Sequence, residues 1–282
     1  MQSTWQPALN AGPQLNNGIS MPWLGLGVYK ARNGEEEQAI QAAIELGYRA
    51  IDTATFYQNE DGVGRAIRNC GLPREELFVT TKMWNDQQGY ENTLKAFEAS
   101  RKLLGLEVVD LYLVHWPVRG KFRETWKALV HLYEQGSVRA IGVSNFEIEH
   151  LEMILKDSPV VPVVNQIELH PLLTRKPLVE FCAAHNIRVT AWSPLMRGQI
   201  DLPLVHELAQ KYGKTAAQII LRWDHQNGVI VIPKSVHRER IAENAGIFDF
   251  EISSEDMQRI DRLNQDRHVG TTYQDVDALY GA

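Results

Sequence analysis

Cysteine is scarce in this chain of 282 residues: Cys70 and Cys182 are the only two, and they lie far apart. They provide no metal-binding spacing and no disulfide framework, and they fit a reducing compartment. The nine histidines are scattered, with no HExxH and no close His/Cys cluster, which argues against a catalytic metal. No apolar run reaches the length needed to span a lipid bilayer, so no membrane span is expected. No Lys/Arg-rich tract stands out and the formal net charge is -6, which argues against nucleic acid as a partner. A local positive pocket for a phosphate stays allowed. The opening MQSTWQPALNAGPQLNNG lacks a basic patch followed by an apolar stretch and does not read as a secretion signal. Low-complexity tracts, long linkers and an internal boundary are missing as well. The expectation is one domain over residues 1–282, monomeric and cytoplasmic, acting on a small molecule.

What is present is a rhythm. LNNGISMPWLGLGVY reads as a hairpin or extended entry, with Asn17-Gly18 a turn. A helical stripe of Ala39, Ile40, Ala43 and Ile44 follows, with Asn33 and Glu36 as a capping box and Gly47 as the stop. YRAID is a strand, and Asn59 or Asp61 caps the next helix. The alternation continues through FVTTK, VDLYLV, VRAIGVS, VVPVVNQIE, IRVTAW and VIVIP, with helices between. Phe122, Trp126, Leu129 and Tyr133 mark one such helix. Counting MPWLGLGVY, eight near-continuous apolar strands alternate with helices, which predicts an α/β fold: a (β/α)8 TIM barrel. An open doubly wound sheet would favour GxGxxG after an early strand. Gly25-Leu26-Gly27 is followed by VYKARNG, without the third glycine or a prompt helix.

Barrel active sites lie at the carboxyl ends of the strands. That rule gathers Asp52, Lys82, His115, Ser144, Asn145, Gln166, Glu168, Trp192, Lys234 and Ser235 at one mouth, with Tyr57 five positions beyond Asp52. Singly, each has a plain reading: Lys82 as a solvated lysine, Asp52 as a turn cap, His115 as a core histidine, Tyr57 as packing. Together they form a proton-transfer device. A tyrosine has a free pKa of about 10. A neighbouring ammonium lowers it, and Asp52 would hold that ammonium in place and protonated. His115 offers a second donor or relay. Such an acid can protonate the alkoxide formed when hydride reaches an aldehyde or ketone.

A second constellation suits the hydride donor. Trp192 can stack on a flat heteroaromatic ring. Ser144, Asn145 and Gln166 could bind a carboxamide, or else cap strand ends and turns. In IPKSVHRERIAEN, Lys234, Ser235 and Arg240 can approach one phosphate monoester beside a helix amino terminus. Glu243 and Asn244 could meet adenine or ribose edges, while His237 and Arg238 divide evenly between surface and cofactor roles. A substrate phosphate would be met by similar residues, but the ring stacker favours NADPH.

At these residues the chain closely resembles the aldo-keto reductases. The likeness runs through MPWLGLGVY, YRAIDTATFYQNEDGVGRAI, FVTTKMW, DLYLVHWP, VRAIGVSNF, VVNQIELHP, VTAWSPL and IPKSVHRERIAENAGIFDF. It implies an eightfold barrel with an amino-terminal hairpin and two additional helices, at LPLVHELAQKYG and SEDMQRIDRLN. It also implies NADPH across the mouth and no metal. By the same resemblance, Tyr57 is the general acid, Lys82 and Asp52 lower its pKa, and His115 orients and donates. Ser144, Asn145 and Gln166 match carboxamide contacts, and Trp192 the nicotinamide stacker. Lys234, Ser235 and Arg240 match 2′-phosphate contacts, and Glu243 and Asn244 adenine contacts.

Two departures stand out. SPLMRG places Met196 where many members have glycine, beside the expected diphosphate crossing. Tyr29 stands where many animal members have tryptophan in the substrate pocket, while Trp84 and Trp116 remain to line an apolar wall. The short VRGKFRE loop and brief tail are similar to the microbial branch of 2,5-diketo-D-gluconic acid and prostaglandin F synthase-like reductases. They imply an open pocket with broad carbonyl acceptance, including keto-sugar acids or small dicarbonyls. Two rival functions use the same barrel. A non-redox isomerase or lyase would use Lys82 as a Schiff-base amine, and a cofactor-sensing barrel would bind NADPH without turnover.

Overall fold

The alternation of apolar strands and helices closes on itself. In the computed structural model, which describes residues 7–281, the strands are β1 (Gly25–Gly27), β2 (Ala50–Asp52), β3 (Phe78–Met83), β4 (Val109–Val114), β5 (Val138–Ser144), β6 (Val164–Glu168), β7 (Arg188–Trp192) and β8 (Ile230–Val231). They pair in chain order and all in parallel. Parallel bridges Leu24–Val231 and Gly27–Lys234 join the seam between β8 and β1. A short helix, α1 (Pro7–Asn10), precedes the barrel. Outside the strands lie α2 (Glu35–Glu45), α3 (Glu60–Asn69), α4 (Tyr90–Leu104), α5 (Phe122–Glu134), α6 (Ile148–Asp157) and α7 (Lys176–Ala184). They are followed by α8 (Pro203–Tyr212), α9 (Ala216–Gln226), α10 (Arg238–Ala245), α11 (Ser254–Asp261) and α12 (Tyr273–Tyr280). The fold is the expected (β/α)8 TIM barrel, with α8 and α11 as the two additional helices. Among the described residues no helix is long and apolar enough to cross a membrane.

The period-two alternation of a strand divides the core in two. Val79, Met83, Tyr112, Val114, Ile141 and Val143 face outward and pack under the helices. Phe78, Leu111, Leu113, Ala140, Val164 and Ile230 face inward and fill the amino-terminal end of the barrel. The hairpin plugs that end. Its Gln14–Ser20 bridge is antiparallel, Gly18 turns it at φ 87°, and Leu15 and Met21 enter the inward cluster. Two to four residues further along the same inward faces the lining turns polar: Asp52, Lys82, Ser144, Gln166 and Glu168 are all buried.

Several local expectations are corrected. Asn33 does not cap α2; it is left-handed itself at φ 58°, and Gly34 takes the cap position without a side-chain bond. Asn59 does occupy the cap position of α3, but its side chain turns away from the helix. It receives Thr53 Oγ1 at 2.7 Å and donates to Val28 O and Ala31 O, each at 3.0 Å. The stretches VVPVVNQIE and VIVIP contribute strands only at Val164–Glu168 and Ile230–Val231. The tail is not merely brief: Thr272 caps α12 by accepting from Asp275 N–H.

Leu113 is fully buried among the inward residues. Leu113→Ala is expected to cost about 2–5 kcal/mol, read as a lower urea midpoint at unchanged slope. An unchanged midpoint would contradict the packing described.

Candidate active site

Tyr57 reaches the mouth from a single 3-10 turn, Thr55–Tyr57, directly after β2. Gln58, left-handed at φ 55°, ends that turn, and Asn59 staples its base to the exit of β1. Lys82, fully buried on the inward face of β3, donates to Asp52 Oδ1 at 2.5 Å and Thr53 O at 2.9 Å. Its Nζ lies 3.4 Å from the Tyr57 hydroxyl. His115, just past β4, meets the Tyr57 ring edge-on at 6.0 Å between centroids. The four residues that sequence singled out are therefore brought together.

Burial governs the proton equilibria here. It lowers Lys82 from its ordinary value, against the opposing pull of Asp52 and Glu60. Burial, then the Lys82 charge, holds His115 well below the usual histidine range. Tyr57 departs from the expectation that Lys82 lowers its pKa. Burial of the hydroxyl, followed by Asp52 and Tyr29, pushes it well above 10.0. The Tyr57 ring is half-buried, but its hydroxyl rests against an ammonium already engaged by Asp52 and Thr53. Tyr57 thus keeps its proton through the neutral range.

The neighbouring polar residues form one connected network. Gln166 Nε2 donates to Asp52 Oδ2 at 2.8 Å, leaving Gln166 Oε1 as an acceptor. Ser144 Oγ donates to Gln166 O at 2.8 Å. Asn145, left-handed at φ 63°, donates to His115 O and Ser144 Oγ, each at 3.0 Å. Its Oδ1 receives Trp192 Nε1 at 2.7 Å, which fixes the half-buried indole. After β8, Lys234 and Arg240 are exposed and Ser235 is buried. Neither cation is in an ion pair among the described residues, whereas Arg238 is bound to Glu45 at 2.6 Å. Two unpaired cations beside the amino terminus of α10 suit a phosphate. Asn244 is buried beside them, and Glu243 spends one oxygen on Thr215 Oγ1 at 2.6 Å. A fixed indole, an amide acceptor and a cationic end together fit an extended dinucleotide.

The side of the mouth beyond Tyr57 and His115 is aromatic. Tyr29 lies 5.0 Å from the Tyr57 ring and Trp84 lies 5.0 Å from His115. Trp116 packs with Val118 and Val276, against Trp84, Trp192 and Tyr280. Phe56, which sequence reasoning missed, stacks on Trp84 at 3.9 Å between centroids and stays exposed. Its only signal was adjacency to Tyr57. Met196, four residues past the end of β7, is fully buried in the outer core and so presents no flexible bulk to solvent. The tail adds to the same aromatic group: α12 sets Tyr280 6.1 Å from Trp84.

A buried neutral His115 should not titrate near the free histidine value of about 6.5. Because its native pKa is lowered, its contribution favours the fold above about 6.5 and is lost as pH falls toward the native value. The His115 ring resonance is expected to stay flat from about pH 8 to 6; a midpoint near 6.5 would contradict the burial described.

Residues 24–265 match the model of the Aldo/keto reductase family. The chain is 55% identical over 259 residues to glyoxal reductase of Bacillus subtilis (strain 168), covering 91% of this chain and 94% of that protein. It is 54% identical over 261 residues to 9,11-endoperoxide prostaglandin H2 reductase of Trypanosoma cruzi (strain CL Brener), covering 91% and 92%. Among solved structures, Bombyx mori aldo-keto reductase AKR2E4 in complex with NADP is similar at a TM-score of 0.88 and 38% identity, covering 95% of this chain and 97% of that one. These relations do not single out a 2,5-diketo-D-gluconic acid reductase subtype. Sequence and fold agree over more than nine-tenths of the chain, and it belongs to the aldo/keto reductase family of oxidoreductase enzymes.

Proposed function

We propose that the protein reduces small aldehydes and ketones, with α-dicarbonyls as its foremost class, to alcohols at the expense of NADPH. The observation that carries this reading is the contact of Tyr57 with the buried Lys82–Asp52 pair at 3.4 Å. Bound NADPH supplies the hydride. Tyr57 gives its proton to the carbonyl oxygen as negative charge develops there. Its raised pKa keeps the proton in place until that stronger base forms. Lys82 then steadies the phenolate, and Asp52 holds the ammonium in position. Neutral His115 orients the carbonyl oxygen toward Tyr57.

Trp192 would stack on the nicotinamide, with Ser144, Asn145 and Gln166 taking its carboxamide. Lys234, Ser235 and Arg240 would take the 2′-phosphate, and Asn244 with Glu243 the adenine. Tyr29, Trp84 and Trp116 line the carbonyl pocket, joined by Phe56. The glyoxal reductase relative supports a small dicarbonyl substrate. Full burial of Lys82, with its ammonium bonded to Asp52 and Thr53, disfavours a Schiff base at that amine. We place the enzyme as a monomer in the cytoplasm, in keeping with two unpaired cysteines.

Tyr57→Phe is expected to lower kcat by about 100-fold or more while NADPH affinity changes less than about threefold. Normal turnover in that variant would remove Tyr57 as the acid. Arg240→Ala is expected to weaken NADPH by about tenfold or more, with NADH affected much less. Equal losses for the two cofactors would remove the 2′-phosphate contact.

A further inference from the structure

Glu168 closes β6 in register with Trp192 and is 3% exposed. No proton-transfer step described above uses it. Its carboxylate is occupied from the far end of the chain: His268 Nδ1 donates at 2.7 Å, Val269 N–H at 2.7 Å and Gly270 N–H at 2.9 Å. Fully buried His170 approaches one of the same oxygens at 3.5 Å. Burial alone would raise this carboxyl, but His170, Val269 and His268 outweigh it and hold it below its ordinary value.

The segment held in this way lies on the mouth. A Cβ at Gly270 would stand 2.4 Å from Trp192 Cη2, so the backbone there rests on the indole. Two residues later Thr272 starts α12. That helix sets Val276 against Trp116 and Val118, and Tyr280 near Trp84. It is eight residues long and Val276 is its one buried residue. A helix so short, with so little buried surface, does not hold its own position. Its far end is fastened by Asp277 to the exposed Arg119 at 2.8 Å. Exposed pairs contribute little, whereas hydrogen bonds to a buried charge are strong.

We propose that Glu168 is a positioning residue that suspends the outer wall of the carbonyl pocket, and thereby sets how the enzyme discriminates among carbonyl substituents. This rests on the reading of the site as a carbonyl reductase. With the clasp intact, α12 stays against Trp84 and Trp116, and a bulky apolar substituent is held between aromatic surfaces. With it broken, the wall drifts. Large substrates lose contacts, while a small dicarbonyl, which needs only Tyr57 and His115, loses little.

The test uses the full chain with Glu168→Ala and Glu168→Gln, the latter keeping an acceptor without the charge. Amide hydrogen exchange of the segment 268–281, measured without cofactor, is expected to rise by about tenfold or more in Glu168→Ala and by less in Glu168→Gln. With phenylglyoxal, kcat/KM is expected to fall by about tenfold, mostly through KM, while glyoxal changes by less than about threefold. Unchanged exchange in both variants would overturn the clasp. Faster exchange with equal losses for the two substrates would overturn the role in discrimination. If the wild-type enzyme reduced neither substrate with NADPH, the carbonyl-reductase reading would fail, while the exchange data would still report on the clasp.

Discussion

A fully buried ammonium is the constraint on which the rest of the site depends. Lys82 has no access to water, and an isolated charge at such a place is prohibitively costly. The barrel answers with an ion pair to Asp52 and a carbonyl from Thr53, both at the end of β2. Those residues must be in register with β3, and the pairing of Asp52 with Thr80 fixes it. Once they are set, the next turn of chain places Tyr57 over the same ammonium. The position of Tyr57 is thus a consequence of how one charge is compensated.

The compensation extends sideways around the barrel. Asp52 has a second oxygen, and Gln166 from β6 fills it. Through Ser144 and Asn145 the same network reaches the ring nitrogen of Trp192. The groups suited to a nicotinamide and the groups suited to proton transfer therefore share hydrogen bonds across the mouth. Such a network is stiff when every member is satisfied. Below it lies a layer of inward apolar residues, and the change from one layer to the other is made within two to four residues along the strands.

The barrel was legible because its strands are apolar on both faces and regularly separated by amphipathic helices. Placing their carboxyl ends at one mouth then brought Asp52, Lys82 and His115 together without any knowledge of contacts. Less legible were features set by tertiary context. Asn33 looked like a helix cap, but the chain reverses through left-handed Asn33 and Gly34 instead. Asn59 looked like another, but two carbonyls at the exit of β1 claim its amide. Adjacency to Lys82 suggested a more acidic Tyr57, because sequence carries no measure of burial, and burial decides the direction. The tail helix escaped notice because only Val276 among its eight residues is buried, which leaves almost no amphipathic pattern. The link from Glu168 to Gly270 spans the interval between β6 and the end of the chain, and no local spacing announces it.

The central claim is that Lys82 and Asp52 are one buried charge-compensated unit that serves Tyr57. A double-mutant cycle of Asp52→Asn and Lys82→Met, followed by stability and by carbonyl turnover, tests it most directly. Each single change should leave an uncompensated group and cost about 3–5 kcal/mol, while the double variant should regain most of that stability and still lack turnover. Additive losses in stability, or turnover restored in the double variant, would contradict the account.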